Sequence, residues 1–313
     1  MPLLHFDYED DGDEAAPRLD AFLAGKLAAE PAGDLQAPTR GDVQTWIKDG
    51  RAKINGAAAT RPATRLRAGD AIDLDRPPPE SGLPIPAPIE FKIAFSDDHI
   101  AVVDKPTGLT VHPGAGHPAD TLVNGLLHRW PEIAGVGDPL RPGIVHRLDR
   151  GTSGLMIVAL SQQAYDNLSE SIRTHDVTRR YTALVHGIVE PAQGIIDAPI
   201  SRDPRRPTRQ WTGHTGRPAR THYEVTAQYT DTALLTVTLE TGRTHQIRVH
   251  MAAIEFPVVG DPVYGRPGFG LERQFLHASG LEFAHPVTGE QLTFESELPE
   301  DLATALEHAQ KPS

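Results

Sequence analysis

Between positions 76 and 88 the chain reads RPPPESGLPIPAP, with prolines at 77, 78, 79, 84, 86 and 88. Proline fixes φ and lacks a backbone N–H, so neither a helix nor an interior strand runs through such a stretch, and the backbone is held extended. A chain of 313 residues carrying this interruption must pack as two parts. The expected organisation is an acidic, disordered lead-in at 1–16, a small domain at 17–75, a semi-rigid linker at 76–88 and a large domain at 89–313.

In the small part, Leu19, Phe22, Leu23 and Leu27 fall at helical spacing, and Val43, Trp46 and Ile47 repeat the pattern in a shorter helix. Ala52 to Ile54 then alternates into Asn55-Gly56, a tight-turn signal, and Gly69-Asp70 precedes the alternating run Ala71 to Leu74. Two helices followed by short strands make a small α/β module.

The chain is acidic as a whole, with a net charge of −12, yet its charges are unevenly placed. Six acids fall within the first 16 residues, which also lack Lys and Arg. Residues 40–67 carry Arg40, Lys48, Arg51, Lys53, Arg61, Arg65 and Arg67 against only Asp42 and Asp49. Residues 141–250 hold 14 Arg against 10 acids. Basic islands in an acidic chain suit contact with nucleic acid on selected faces, and equally describe ordinary solvated surface. No run approaches 18 apolar residues and the amino terminus has no basic leader, so neither a membrane span nor a signal peptide is expected. The expected location is the cytoplasm. The absence of cysteine removes disulfides, thiolate zinc sites, iron–sulfur clusters and cysteine nucleophiles.

Beyond residue 88, short β-type runs dominate: Ile100 to Val103, Gly143 to Leu148, Leu155 to Leu160, Tyr181 to Val189, His222 to Tyr229 and Ala233 to Leu239. Ser161 is positioned to cap a helix reaching about His175, and Thr244 another reaching about Ile254. Many strands with few βαβ alternations predict an α+β domain around a mixed, mainly antiparallel sheet.

Four stretches carry the chemistry. In RPGIVHRLDRGTSGLMIVAL, residues 141–160, Asp149 stands where an apolar run meets a Gly-rich turn. A sheet fixes such a carboxylate and aims it into a cleft, although an aspartate in this place also serves as a turn cap. In TGRTHQIRVH, His245 and Arg248 share a helix face, where Arg248 can pair with a buried carboxylate. His245 and His250 diverge around that helix and no acidic helical ligand accompanies them, so no metal site is expected. KPTGLTVHP, from Lys105, is punctuated like a substrate-contacting loop or a structural turn. In RRYTALV, Tyr181 follows two arginines, a place for a core aromatic or for one stacked on a base. Phosphate-loop, nucleophile-elbow, zincin and dinucleotide fingerprints are all missing.

Together HRLDRGTSG, KPTGLTVHP, RRYTALVHG and TGRTHQIRVH resemble the RluA family of large-subunit rRNA pseudouridine synthases. VHPGAG, LRPGIVHRLD, APISR, GDPVYGRP and LHASGLEFAHP place the resemblance nearest the synthase D type, over residues 17 to about 305. Residues 17–75 resemble the S-four-type RNA-binding module. The resemblance implies conversion of uridine to pseudouridine with no cofactor and no metal. It makes Asp149 the catalytic aspartate, Tyr181 the side chain against the target base, and Arg248 the ion-pair partner of Asp149. It gives Arg147 the extrusion of the nucleotide, sets His146, Thr152 and Lys105 beside it as substrate contacts, and makes Arg40, Lys48, Arg51 and Lys53 RNA contacts of the first module. A stacked uridine must be flipped out to be reached, at a cost of a few kcal/mol. Attack at the sugar carbon, attack at C6 and abstraction of a sugar proton all remain compatible with these residues. The implied partner is 23S rRNA or a large-subunit precursor, bound by a monomer. The alternatives are the same chemistry on tRNA or another RNA, and a non-catalytic RNA-binding or ribosome-assembly factor.

Overall fold

The computed structural model describes residues 3–9, 16–29, 38–76, 83–112, 120–206, 209–213 and 215–311. The chain divides into two units, residues 1–83 and 84–313. The first contains β1 (Leu3–Asp7), α1 (Leu19–Ala29), α2 (Arg40–Lys48), β2 (Ala52–Ile54), β3 (Ala57–Ala59) and β4 (Ala71–Asp75). Its sheet runs β1-β4-β2-β3. Leu19, Leu23 and Leu27 from one helix and Val43 and Ile47 from the other bury themselves with Ile72 and Leu74 of β4. The β2–β3 turn is made at Asn55-Gly56, both with positive φ, as a two-residue hairpin requires.

Residues 3–7 depart from the expected disordered lead-in. They form a strand paired with β4 from Leu3↔Asp75 to Asp7↔Ala71. Leu4 and Phe6 alternate onto the core while His5 and Asp7 point out, so two apolar side chains outweigh the local acidity. The acids at 10–15 lie outside the described residues, as do linker positions 77–82 and Pro113 of the Lys105 loop with the rest of VHPGAG.

The second unit contains β5 (Lys92–Ser96), β6 (Ile100–Lys105), α3 (Leu122–Arg129), β7 (Ser153–Ala159), α4 (Gln162–Arg173), β8 (Thr178–His186), β9 (Gln193–Asp197), β10 (Ile200–Arg202), β11 (Gln210–Thr212), β12 (Arg220–Gln228), β13 (Thr232–Leu239), α5 (Gln246–Ala253), β14 (Leu276–Ala284), β15 (Gln291–Glu295) and α6 (Glu300–Gln310). Nine strands form one sheet in the order β5-β6-β7-β14-β8-β13-β12-β9, with β15 on β14, and β10–β11 is a separate hairpin. Only the β7–β14 pairing is parallel, so the sheet is mixed and mainly antiparallel, as expected. The Pro-rich segment ends sooner than expected. Asn124 in α3 donates to the carbonyl of Ile85 at 2.7 Å, and Ala87 N–H donates to the carbonyl of Asn124 at 3.0 Å, which fastens residues 85–87 to the second unit.

Every residue of β7 is buried, and its two edges explain a second departure. β6 bonds one edge throughout, whereas β14 bonds the other only at Ser153 and Gly154. The run 143–148 is not the expected strand. It turns at Gly143 (φ +71°) and covers the remaining edge piecewise: Gly143 O accepts Ala159 N–H, Ile144 bridges Val158, and the ring of His146 accepts Ile157 N–H. A third departure is at α5, which begins at Gln246, with His245 as its N-cap in the left-handed region (φ +57°) in place of Thr244.

Candidate active site

Asp149 opens a tight turn in front of β7. The turn is closed by Thr152 N–H on the carbonyl of Asp149 at 3.0 Å. The next carbonyl, of Arg150, accepts from Gly108 N–H at 2.9 Å and from the ammonium of Lys105 at 3.4 Å. The carbonyl of Gly151 accepts from Arg273 at 3.1 Å, and Arg273 is itself held by Asp301 of α6. With its carbonyls taken, this turn has little freedom, and the Asp149 side chain is presented from a fixed backbone.

Arg248 approaches that side chain from α5. Its Nη1 donates to Asp149 Oδ2 at 2.9 Å, while Nε and Nη2 donate to the two oxygens of Asp261 at 2.7 and 2.9 Å. Asp261 also accepts the N–H groups of Val263 and Tyr264. Burial alone raises the carboxyl of Asp261, and the Arg248 contacts more than offset it, holding it below its ordinary value. Arg248 is pushed above its ordinary value by these carboxylates in spite of burial. Tyr264 lies against the guanidinium, 5.3 Å from ring centre to carbon, and its hydroxyl pairs with Nδ1 of His245 at 3.0 Å. Asp261 and Tyr264 belong to GDPVYGRP. The sequence reading used that motif only for resemblance and assigned neither residue a role, although a carboxylate flanked by Gly and Pro was the available signal.

Tyr181 comes from β8, buried and on the same strand face as Arg179. Burial raises its phenol above the ordinary value, with Asp149 acting in the same direction, so the hydroxyl stays protonated. Asp149, Tyr181, Arg248, Arg147, His146 and Thr152 all line one cavity of about 500 Å³, within the ~300–1,000 Å³ usual for small-ligand sites. The side chain of Asp149 keeps 17% of its surface exposed there, against 5% for Arg248.

The other predicted substrate contacts divide. Arg147 is exposed at the cavity and donates to Nε2 of His112 at 2.8 Å. His146 spends Nε2 on Ile157 N–H, and burial followed by the nearby Arg179 lowers its pKa to about 3, so it is neutral with the proton on Nδ1. Thr152 is buried and its hydroxyl accepts from Gln274. Lys105, expected in a substrate-contacting loop, is fully buried and does not line the cavity. Its ammonium donates to the carbonyls of Pro106, Leu109 and Arg150, and burial drives its pKa down to about 7 against the opposing pull of Asp149. In the first unit, Arg40 is held by the buried Asp20 and Arg51 by Asp75, while Lys48 and Lys53 are exposed without an ion pair among the described residues. Among the described residues no group of three or more His, Asp or Glu side chains is placed to hold a metal ion. Among the described residues no helix is long and apolar enough to cross a membrane.

A mainly antiparallel sheet carrying aspartate, tyrosine and arginine to one cavity, in a chain whose small first module exposes Lys48 and Lys53, fits an RNA-modifying enzyme of the pseudouridine synthase class. The RNA pseudouridylate synthase family model matches residues 99–253, and the S4 domain model matches residues 35–72. The chain belongs to the RNA pseudouridine synthase family: it is 41% identical over 300 residues, 96% of each chain, to the uncharacterized RNA pseudouridine synthase YlyB of Bacillus subtilis. It is 42% identical to the ribosomal large subunit pseudouridine synthase D of Xanthomonas campestris, covering 84% of this chain and 82% of that one. Among solved structures, human RNA pseudouridylate synthase domain containing 4 superposes with a TM-score of 0.56 at 25% identity, covering 70% of this chain and 92% of that one.

Proposed function

We propose that this synthase isomerises uridine in large-subunit rRNA, with Asp149 acting on a uridine flipped into the cavity. The observation that carries this reading is the 2.9 Å ion pair between Arg248 and Asp149 at the wall of a cavity that Tyr181 also lines. The target must lose its N1–C1′ bond, turn and rejoin through C5, which gives up its proton while N1 takes one up, so the balance is that of an isomerisation. A carboxylate paired with a buried arginine serves as nucleophile or base in that sequence. Tyr181 offers a flat surface for the freed base. Arg147, exposed at the same cavity, is placed to fill the gap that the flipped nucleotide leaves in the stem. The first unit adds a second RNA contact, which raises affinity by holding the substrate near the cavity. The reading as a large-subunit enzyme follows from the likeness to relatives named ribosomal large subunit pseudouridine synthase D. A monomer working in the cytoplasm completes it.

The test has two parts. Purified Asp149→Asn is expected to form no pseudouridine while binding RNA within a few-fold of wild type, and retained turnover ends the role of Asp149. Pseudouridine mapping in cells with and without the protein is expected to show loss in large-subunit rRNA. Loss confined to tRNA moves the substrate, and no loss anywhere favours a non-catalytic assembly factor.

A further inference from the structure

Two arginines that line the cavity are equally buried, each 4% exposed, and their surroundings differ sharply. Arg248 is compensated by two carboxylates. Arg179 has none among the described residues: its Nη2 donates to the carbonyls of Leu239 and Glu240 at 3.4 and 3.0 Å, and its Nε is buried without an acceptor. Nη1 has no acceptor among the described residues either, and it faces Gly242, where a Cβ would stand 3.0 Å away. The next residue shows what compensation looks like on the opposite face of β8, where Arg180 pairs with Glu282 and, at 3.4 Å, with Glu295. The buried Lys105 meets the same difficulty by titrating near neutrality. Arginine has no such escape, because its guanidinium is not deprotonated in proteins. An uncompensated buried charge is destabilising unless an anion arrives to meet it.

We propose that Arg179 is a phosphodiester subsite, binding the backbone phosphate next to the flipped uridine through the unused N–H groups of Nη1. The inference rests on the RNA reading above and adds the phosphate contact. With Nη2 on backbone carbonyls and Nε buried, Nη1 is the donor left to meet one phosphodiester oxygen in a charge-assisted hydrogen bond. On β8 it stands two residues from Tyr181 and on the same face, so phosphate and base are gripped from one rigid strand.

The experiment uses the full-length protein and a stem–loop RNA that wild type converts, prepared with a single neutral methylphosphonate linkage either 5′ or 3′ of the target. For wild type, one of the two linkages is expected to raise KM by about tenfold or more. Arg179→Gln raises KM to a similar degree on unmodified RNA, is indifferent to that linkage, and lowers the salt slope of binding by about one. Its stability is unchanged or higher, since an uncompensated charge has gone. Arg179→Lys keeps the cation and part of the sensitivity, and it carries the test if the glutamine variant does not fold. Effects of variant and linkage that simply add in both variants overturn the inference while leaving the enzyme assignment intact. Failure of wild type to convert any RNA removes the functional reading, and this one with it.

Discussion

Asp261 grips Arg248 through two hydrogen bonds, 2.7 Å from Nε and 2.9 Å from Nη2. That grip leaves one face of the guanidinium, Nη1, for Asp149. Asp261 is 1% exposed and takes two further backbone N–H groups, so it is fixed more firmly than the carboxylate it helps to place. The order of control runs from Asp261 through Arg248 to Asp149.

Removing one partner from a buried ion pair costs about 3–5 kcal/mol. Asp261→Ala is therefore expected to lower unfolding stability by that order and to depress turnover more than RNA affinity. Asp261→Asn keeps one acceptor for Arg248 and falls between. Urea unfolding with single-turnover pseudouridine assays checks both, and an Asp261→Ala enzyme with wild-type stability and rate removes Asp261 from the chain of control.

Lys105 makes stability depend on pH in an unusual window. Its folded pKa is near 7 and its ordinary value 10.5, so between those limits the unfolded chain holds a proton that the folded one lacks. Stability contributed by this group therefore rises with pH across the window, and below about 7 the full penalty of burying the ammonium is present. At ~1.4 kcal/mol for each pH unit, the change amounts to a few kcal/mol. Lys105→Met abolishes it, so wild type is expected to gain on the variant as pH rises from 7 to 10 in denaturant titrations. A difference that stays level means that Lys105 keeps its charge throughout.

Gly154 is the residue that lets β14 reach β7. Its φ is +112°, and a Cβ there would come within 2.3 Å of the carbonyl of Ala278. Strain of about 1–3 kcal/mol and overpacking of a similar ~1–3 kcal/mol predict that Gly154→Ala destabilises by several kcal/mol. Activity should fall with it, because the Asp149 turn ends two residues earlier, at Thr152. Thermal unfolding and assays below the variant's midpoint test this, and an unshifted midpoint rules out the close approach.

Local patterns made several strands and the mixed sheet legible before any coordinates, whereas Asp149, Tyr181 and Arg248 stood out as site residues only through the family resemblance. Period-two runs such as 233–239 depend on neighbours close in sequence. Long-range partnership was not legible. Nothing near Lys105 in the chain signals that Arg150 would cap its ammonium from 45 positions away. His146 sits in an apolar run that looks like a strand, and only the unfilled edge of β7 makes its ring a substitute for a backbone carbonyl. Leu4 and Phe6 were obscured by the acids that follow them.

The basic residues of the first unit should not behave alike. Asp20 is fully buried and accepts from Arg18, Arg40 and Gln44. Burial raises its carboxyl, but Arg40, Gln44 and Arg18 outweigh that and bring it from 3.8 to about 2. The stabilisation is present above the ordinary value and is lost as pH falls through about 2, and it amounts to about 2 kcal/mol. Arg40 is thus committed to the fold, while Lys48 and Lys53 are exposed without a carboxylate partner among the described residues. Arg40→Ala is expected to destabilise the first unit, read by hydrogen exchange at α1 and α2. Lys48→Ala and Lys53→Ala should leave that exchange unchanged and each lower the salt slope of RNA binding by about one. If Arg40→Ala alone changes the slope and leaves exchange untouched, Asp20 does not hold that arginine in solution, and the RNA-facing surface of this unit centres on α2.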